Sequence, residues 1–223
     1  MALASTHGAT WRRRPLPRWV KPLLWLLLLT PLAGLLWQAV NGDLGANPAE
    51  TLIRSLGDWA IRCLTLALAV TPLRQGLAWP ALGSVRRLLG LFAAAYAGLH
   101  TLGYIWLDQA WSWSAVWQDV LKRPFITVGM AAMVLLLLMS LSSPRWVARR
   151  MGARLWQRLH RSVYAVAVLV VLHFWWMREG KQDFAEVWLW GGLLALLLLL
   201  RWPPMQQALQ AWGRGRSKAH WSA

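Results

Sequence analysis

Three histidines, His100, His160 and His173, stand inside or at the edge of strongly apolar stretches of this chain. An ionisable ring at membrane depth is expensive unless something compensates it, which makes such a residue a functional-site candidate. Coordination to a metal or a haem iron is one compensation, and neutral imidazole is a common ligand for both. His160 and His173 are 13 residues apart, about 3.6 turns, so on one straight helix they would not share a face.

The stretches that must position these rings read as transmembrane helices. The chain has 223 residues, of which 57% are hydrophobic and only 14% charged. A soluble domain carries nearer a quarter charged residues. Six spans are expected: Pro22–Val40, Gly57–Leu73, Leu88–Leu107, Phe125–Leu141, Arg161–Met177 and Ala185–Trp202. They divide the chain into a basic N-terminal tail (1–21), a membrane domain (22–202) and a basic C-terminal tail (203–223). Pro31 should kink the first span and Pro72 should end the second. The first span is long and is followed by no clear cleavage site, so it reads as a retained helix, not a cleaved signal. Cys63 is the single cysteine. It excludes an intrachain disulfide or a cysteine-held cluster and reads as a small buried apolar residue.

Charge sets the orientation. The two tails and the loops around 74–87 and 142–161 hold 18 Lys and Arg and no acid, whereas the opposite side holds 6 bases and all 8 acids. The positive-inside rule then places both termini in the cytoplasm, which needs an even number of spans. The net charge of +16 does not imply a nucleic-acid partner, because the bases flank apolar spans instead of lining one soluble face. Anionic lipid is the simpler partner for them. Many of the 19 tryptophans sit near span ends, where interfacial anchoring accounts for them. The segment Trp111–Trp117 could lie flat on the outer surface or cap a site.

Depth sorts the histidines. His100 lies 12 residues beyond Leu88, about 18 Å up the third span. His173 lies 13 residues beyond His160, about 20 Å up the fifth. Two helices then present one imidazole each at equal depth in the outer half of the bilayer, the arrangement for bis-histidine haem ligation. Ala93, Ala94, Ala95, Ala97, Gly98 and Gly103 around His100 would leave room for a flat macrocycle, or would simply let helices pack closely. His160 stands at the cytoplasmic mouth, level with Arg86 and Arg87. It is a candidate ligand for a second haem, or an interfacial residue near a propionate or flavin phosphate. Arg87 is a candidate cofactor contact. The six arginines of Arg145–Arg161 follow from topology or form an anion site.

Four stretches carry a resemblance: Asn47–Arg74, Arg86–Tyr104, Arg123–Met130 and, most specific, LWQRLHRSVYAVAVLVVLHFWW (Leu155–Trp176). Over roughly residues 20–202 the chain resembles the MsrQ family, the haem-binding membrane subunits of the bacterial periplasmic methionine sulfoxide reductase system, within the ferric-reductase-like transmembrane superfamily. The resemblance implies a six-span b-type cytochrome of the inner membrane that binds haem b and with which FMN is associated. It implies electrons taken from the quinone pool or a flavin donor and passed to a periplasmic molybdopterin enzyme that repairs oxidised protein methionine. His100, His160 and His173 match the family's histidines.

On this reading the chain is the electron-transfer subunit of an oxidoreductase complex and not its catalytic subunit. No Gly-rich dinucleotide fingerprint is present, so no NAD(P)H domain of its own is expected. The rival readings are another ferric-reductase-like cytochrome b, and a cofactor-free transporter whose histidines relay protons.

Overall fold

A computed structural model of the chain describes residues 15–179 and 182–219, with side chains described as far as Gly213. The bases expected at 12–14, 181 and beyond 213, together with His7 and His220, lie outside these described residues or side chains. All regular structure among the described residues is helical. Five helical stretches are long and apolar enough to cross a membrane, and a bent pair near the C-terminus would make a sixth. The chain is therefore a multi-pass membrane protein.

Helix α1 (Val20–Asn41) carries Pro31 within it. Proline has no N–H, so the carbonyl four residues earlier loses its donor. The Thr30 hydroxyl donates to that carbonyl, Leu27 C=O, at 2.8 Å. The Tyr96 hydroxyl adds a 2.6 Å hydrogen bond to Leu28 C=O from the third span. Such substitutions by side-chain donors are what makes proline tolerable inside a bilayer.

Helix α2 (Pro48–Gly76) begins where Asn47 Oδ1 accepts from the Glu50 N–H at 3.2 Å. It does not stop at Pro72, contrary to expectation, but continues to Gly76. The carbonyl that Pro72 frees is that of Leu68, and Nη2 of Arg201 donates to it at 2.8 Å. The donor comes from the far end of the chain, so the local proline rule could not anticipate it. α2 is the central helix of the bundle, with Cys63, Leu64 and Leu68 at most 3% exposed. The expectation that Cys63 is a buried apolar residue matches its 0% exposure.

Helix α3 (Gly83–Gly103) packs along α2 through Ala93 and Ala94 and passes into a π-helical turn, Tyr104–Asp108. A short amphipathic helix, α4 (Trp113–Lys122), follows. It buries Val116 against Tyr104, Ile105 and Ile126 and leaves Trp113, Trp117 and Leu121 exposed, an interfacial pattern. Helix α5 (Pro124–Leu141) returns across the bundle.

The expected fifth span, Arg161–Met177, is α8 (Val163–Glu179) to within two residues. A separate helix, α7 (Ala153–Arg161), precedes it across a break at Ser162, and α6 (Arg145–Met151) comes before that. The sixth is shorter than expected. α9 (Ala185–Leu199) is followed by an 80° bend into α10 (Pro203–Ala219). The stretch 203–219 is therefore helical, not a plain tail. α10 lies against the end of α2 so closely that a Cβ on Gly213 would come within 2.5 Å of the Gln75 carbonyl oxygen.

Candidate functional site: a cavity between two carbonyl-held histidines

The structure brings His100 of α3 and His173 of α8 together. Their ring centroids are 6.1 Å apart and the ring planes are nearly perpendicular, at 86°. Each ring is held the same way by a neighbouring helix. Nδ1 of His100 hydrogen-bonds Ile53 C=O of α2 at 2.8 Å, and Nδ1 of His173 hydrogen-bonds Phe125 C=O of α5 at 2.7 Å. A carbonyl can only accept, so both rings carry their proton on Nδ1. Nε2 is then left with its lone pair, and in neither ring does it make a hydrogen bond among the described residues. A second atom repeats in both halves. Four residues after each carbonyl, one turn along the same helix, is a glycine facing the ring. A Cβ on Gly57 would lie 3.0 Å from Nδ1 of His100, and one on Gly129 would lie 2.7 Å from Nδ1 of His173. Any larger side chain would press on the imidazole and its hydrogen bond.

Both rings line a cavity of about 480 Å³, within the ordinary range for cofactor sites. Apolar groups such as Ala97, Ala132, Leu136 and Val170 form its depth. Its mouth carries Arg54, Arg123 and Arg178 together with Glu50, Asp58 and Asp108. Arg54 pairs with Glu50 at 2.8 Å and Arg123 with Asp119 at 3.3 Å. Arg178 pairs with Asp183 and Glu186, yet its Nε is buried with no acceptor among the described residues.

These residues can be tested against a haem. Two metal–imidazole bonds of about 2 Å, plus about 1 Å from each nitrogen to its ring centre, put the centroids about 6 Å apart. The observed 6.1 Å agrees. No group of three or more His, Cys, Asp or Glu gathers among the described residues, as a bare ion would need. A haem iron, already held by its macrocycle, would need from the protein only the two imidazoles that His100 and His173 could supply. The unfilled Nε of Arg178 and the other mouth guanidinium groups suit propionates.

The remaining expected residues lie elsewhere. His160 is in α7, where its Nε2 contacts Ser142 Oγ at 3.1 Å and its ring stacks on Trp156 at 4.0 Å. Trp156 Nε1 donates to Ser142 C=O at 3.2 Å, which ties α7 to the end of α5. Arg87 is exposed and does not line the cavity. The six arginines of Arg145–Arg161 are all exposed. Of the small residues near His100, Ala97 lines the cavity. Ala93 and Ala94 serve helix packing, and Gly103 faces Ile53. Sequence reasoning missed Gly57, Gly129 and the three mouth arginines. The visible signal was a glycine inside each of two otherwise strong helices.

Comparison with known proteins converges on the same segment. The ferric reductase like transmembrane component family matches residues 56–171, which includes His100 and His160 and ends two residues before His173. A protein of Bordetella pertussis named protein-methionine-sulfoxide reductase heme-binding subunit MsrQ is 46% identical over 200 residues, 90% of this chain and 93% of its own length. Relatives of the same name from Polaromonas naphthalenivorans and Caulobacter vibrioides are 47% and 42% identical over 80% of this chain, covering 81% and 84% of their own lengths. The chain belongs to the MsrQ family of ferric-reductase-like membrane proteins.

Proposed function

We propose that this chain is the b-type cytochrome subunit that carries electrons across the bacterial inner membrane to a protein-methionine-sulfoxide reductase. The observation that carries the reading is the facing pair His100 and His173, each with Nδ1 on a main-chain carbonyl and Nε2 uncommitted. A bound haem b would supply one-electron chemistry there. The work of the chain is positional. Ile53 C=O and Phe125 C=O fix both tautomers and raise the basicity of the rings, which favours the oxidised metal. Gly57 and Gly129 keep the rings where those hydrogen bonds can form. The apolar depth of the cavity excludes water, and Arg54, Arg123 and Arg178 are set to hold carboxylates at its mouth.

The mouth lies at the acid-bearing end of the bundle, which the positive-inside rule assigns to the periplasm, with both termini cytoplasmic. The pair His100 and His173 then stands on the delivery side. The partner there would be a periplasmic molybdopterin subunit that reduces methionine sulfoxide. His160 and Arg87 stand on the entry side, where a quinone or an FMN-bearing donor would deliver electrons. A second haem at His160 would require Nε2 to leave Ser142.

The test is a reduced-minus-oxidised spectrum of the purified protein with haem quantification. A b-type band, lost when either His100 or His173 becomes Ala, is the expected result. Protein without a b-type band would refute the reading.

A further inference from the structure

The opposite end of the bundle contains a cation that no carboxylate compensates. Arg201, at the bend between α9 and α10, is 9% exposed. Its Nη2 serves Leu68 C=O at 2.8 Å and Thr71 Oγ1 at 3.3 Å, and its guanidinium lies 5.6 Å from the centre of the Tyr164 ring. Its Nε is buried with no acceptor among the described residues. Arg86 lies within electrostatic reach of Arg201, Arg74 and His160. Arg74 itself reaches over the start of α3, where a Cβ on Gly83 would be 3.4 Å from its Nη1. None of these arginines forms an ion pair among the described residues. All eight Asp and Glu of the chain sit at, or within three turns of, the other ends of the helices.

Burying one charge with like charges around it is unfavourable unless an anion joins them. A hydrogen-bond donor without an acceptor points the same way. We propose that Arg201, Arg86 and Arg74, over Tyr164, form a binding site for a phosphate group at the acid-free end of the bundle. Phosphate suits it because guanidinium groups bind phosphate oxygens by charge-assisted hydrogen bonds, often two at once. The group could arrive on an anionic phospholipid of the facing leaflet or on a soluble phosphate ester. The site is independent of the histidine cavity and does not rest on the haem reading.

The experiment is a melting series on the full chain in detergent at fixed ionic strength. The probes are inorganic phosphate, FMN and short-chain phosphatidylglycerol, with chloride and phosphatidylcholine as controls. Saturating phosphate-bearing probe should raise the melting temperature by about 5 °C. Arg201→Gln and the exposed-side-chain variant Arg86→Gln should each remove most of that shift. Stabilisation by phosphatidylglycerol alone assigns the lipid source. Stabilisation by inorganic phosphate or FMN assigns the soluble source. Equal melting with every probe, or an undiminished shift in Arg86→Gln, would overturn the site. The visible spectrum of each variant reads the histidine cavity separately.

Discussion

The two histidine stations of this chain differ in what each ring has left to offer. At His100 and His173 the main chain takes Nδ1, Nε2 is uncommitted among the described residues, and both rings line a shared cavity. At His160 a hydroxyl takes Nε2, and Trp156 covers one ring face. The first station is lined largely by apolar groups, whereas His160 sits in an arginine-rich helix within reach of Arg86. The difference teaches that a buried histidine becomes a ligand candidate through the nitrogen that its neighbours leave free. A ring satisfied at Nε2 by a side chain is behaving as a packing and hydrogen-bonding residue.

The largest effect should come from the cavity pair. His173→Ala and His100→Ala should each reduce bound haem to about a tenth or less of the wild-type level, measured by pyridine haemochrome assay. Full haem content in both variants would break the comparison. Next is Gly129→Ala. A methyl group 2.7 Å from Nδ1 of His173 must displace the ring or its hydrogen bond. Supporting residues of this kind change metal affinity by about 10-fold or more, so haem retention on dilution should fall by about that factor. Gly57→Ala has the same geometry at 3.0 Å, where a small shift of His100 relieves it. Its effect should be smaller, about 3-fold, with a displaced reduction potential in redox titration. The smallest effect on the cavity belongs to His160→Ala. It should leave the absorption band assigned to His100 and His173 in place. It should cost about 1 kcal/mol of stability through the lost Ser142 hydrogen bond and Trp156 stacking, seen as earlier thermal unfolding.

How much of this was legible beforehand depended on how local the cause was. The pairing of His100 with His173 followed from helix rise and alternating span direction, because depth accumulates by a fixed step per residue. The membrane class followed from composition for the same reason. The end of α2 was misplaced because the compensation for Pro72 sits 133 positions from Leu68, at Arg201. The break at Ser162 falls where the basic stretch ending at Arg161 gives way to the apolar one, and it separates His160 and His173 onto two helices. The carbonyl acceptors for the histidines were out of reach because the main chain has the same atoms at every residue. Only the two glycines distinguish the turns where an imidazole can come so near.

The contact between Arg201 and Leu68 also bears on how the molecule is made. Ribosomes deliver α2 long before they deliver residue 201, so the carbonyl released by Pro72 has to wait for its donor. Until α9 turns into α10, α2 keeps a backbone group near its C-terminal end that lipid cannot satisfy. A nascent chain that stalls earlier carries that flaw within its central helix, exposed to membrane quality control. Completion of the last span is thereby written into the second.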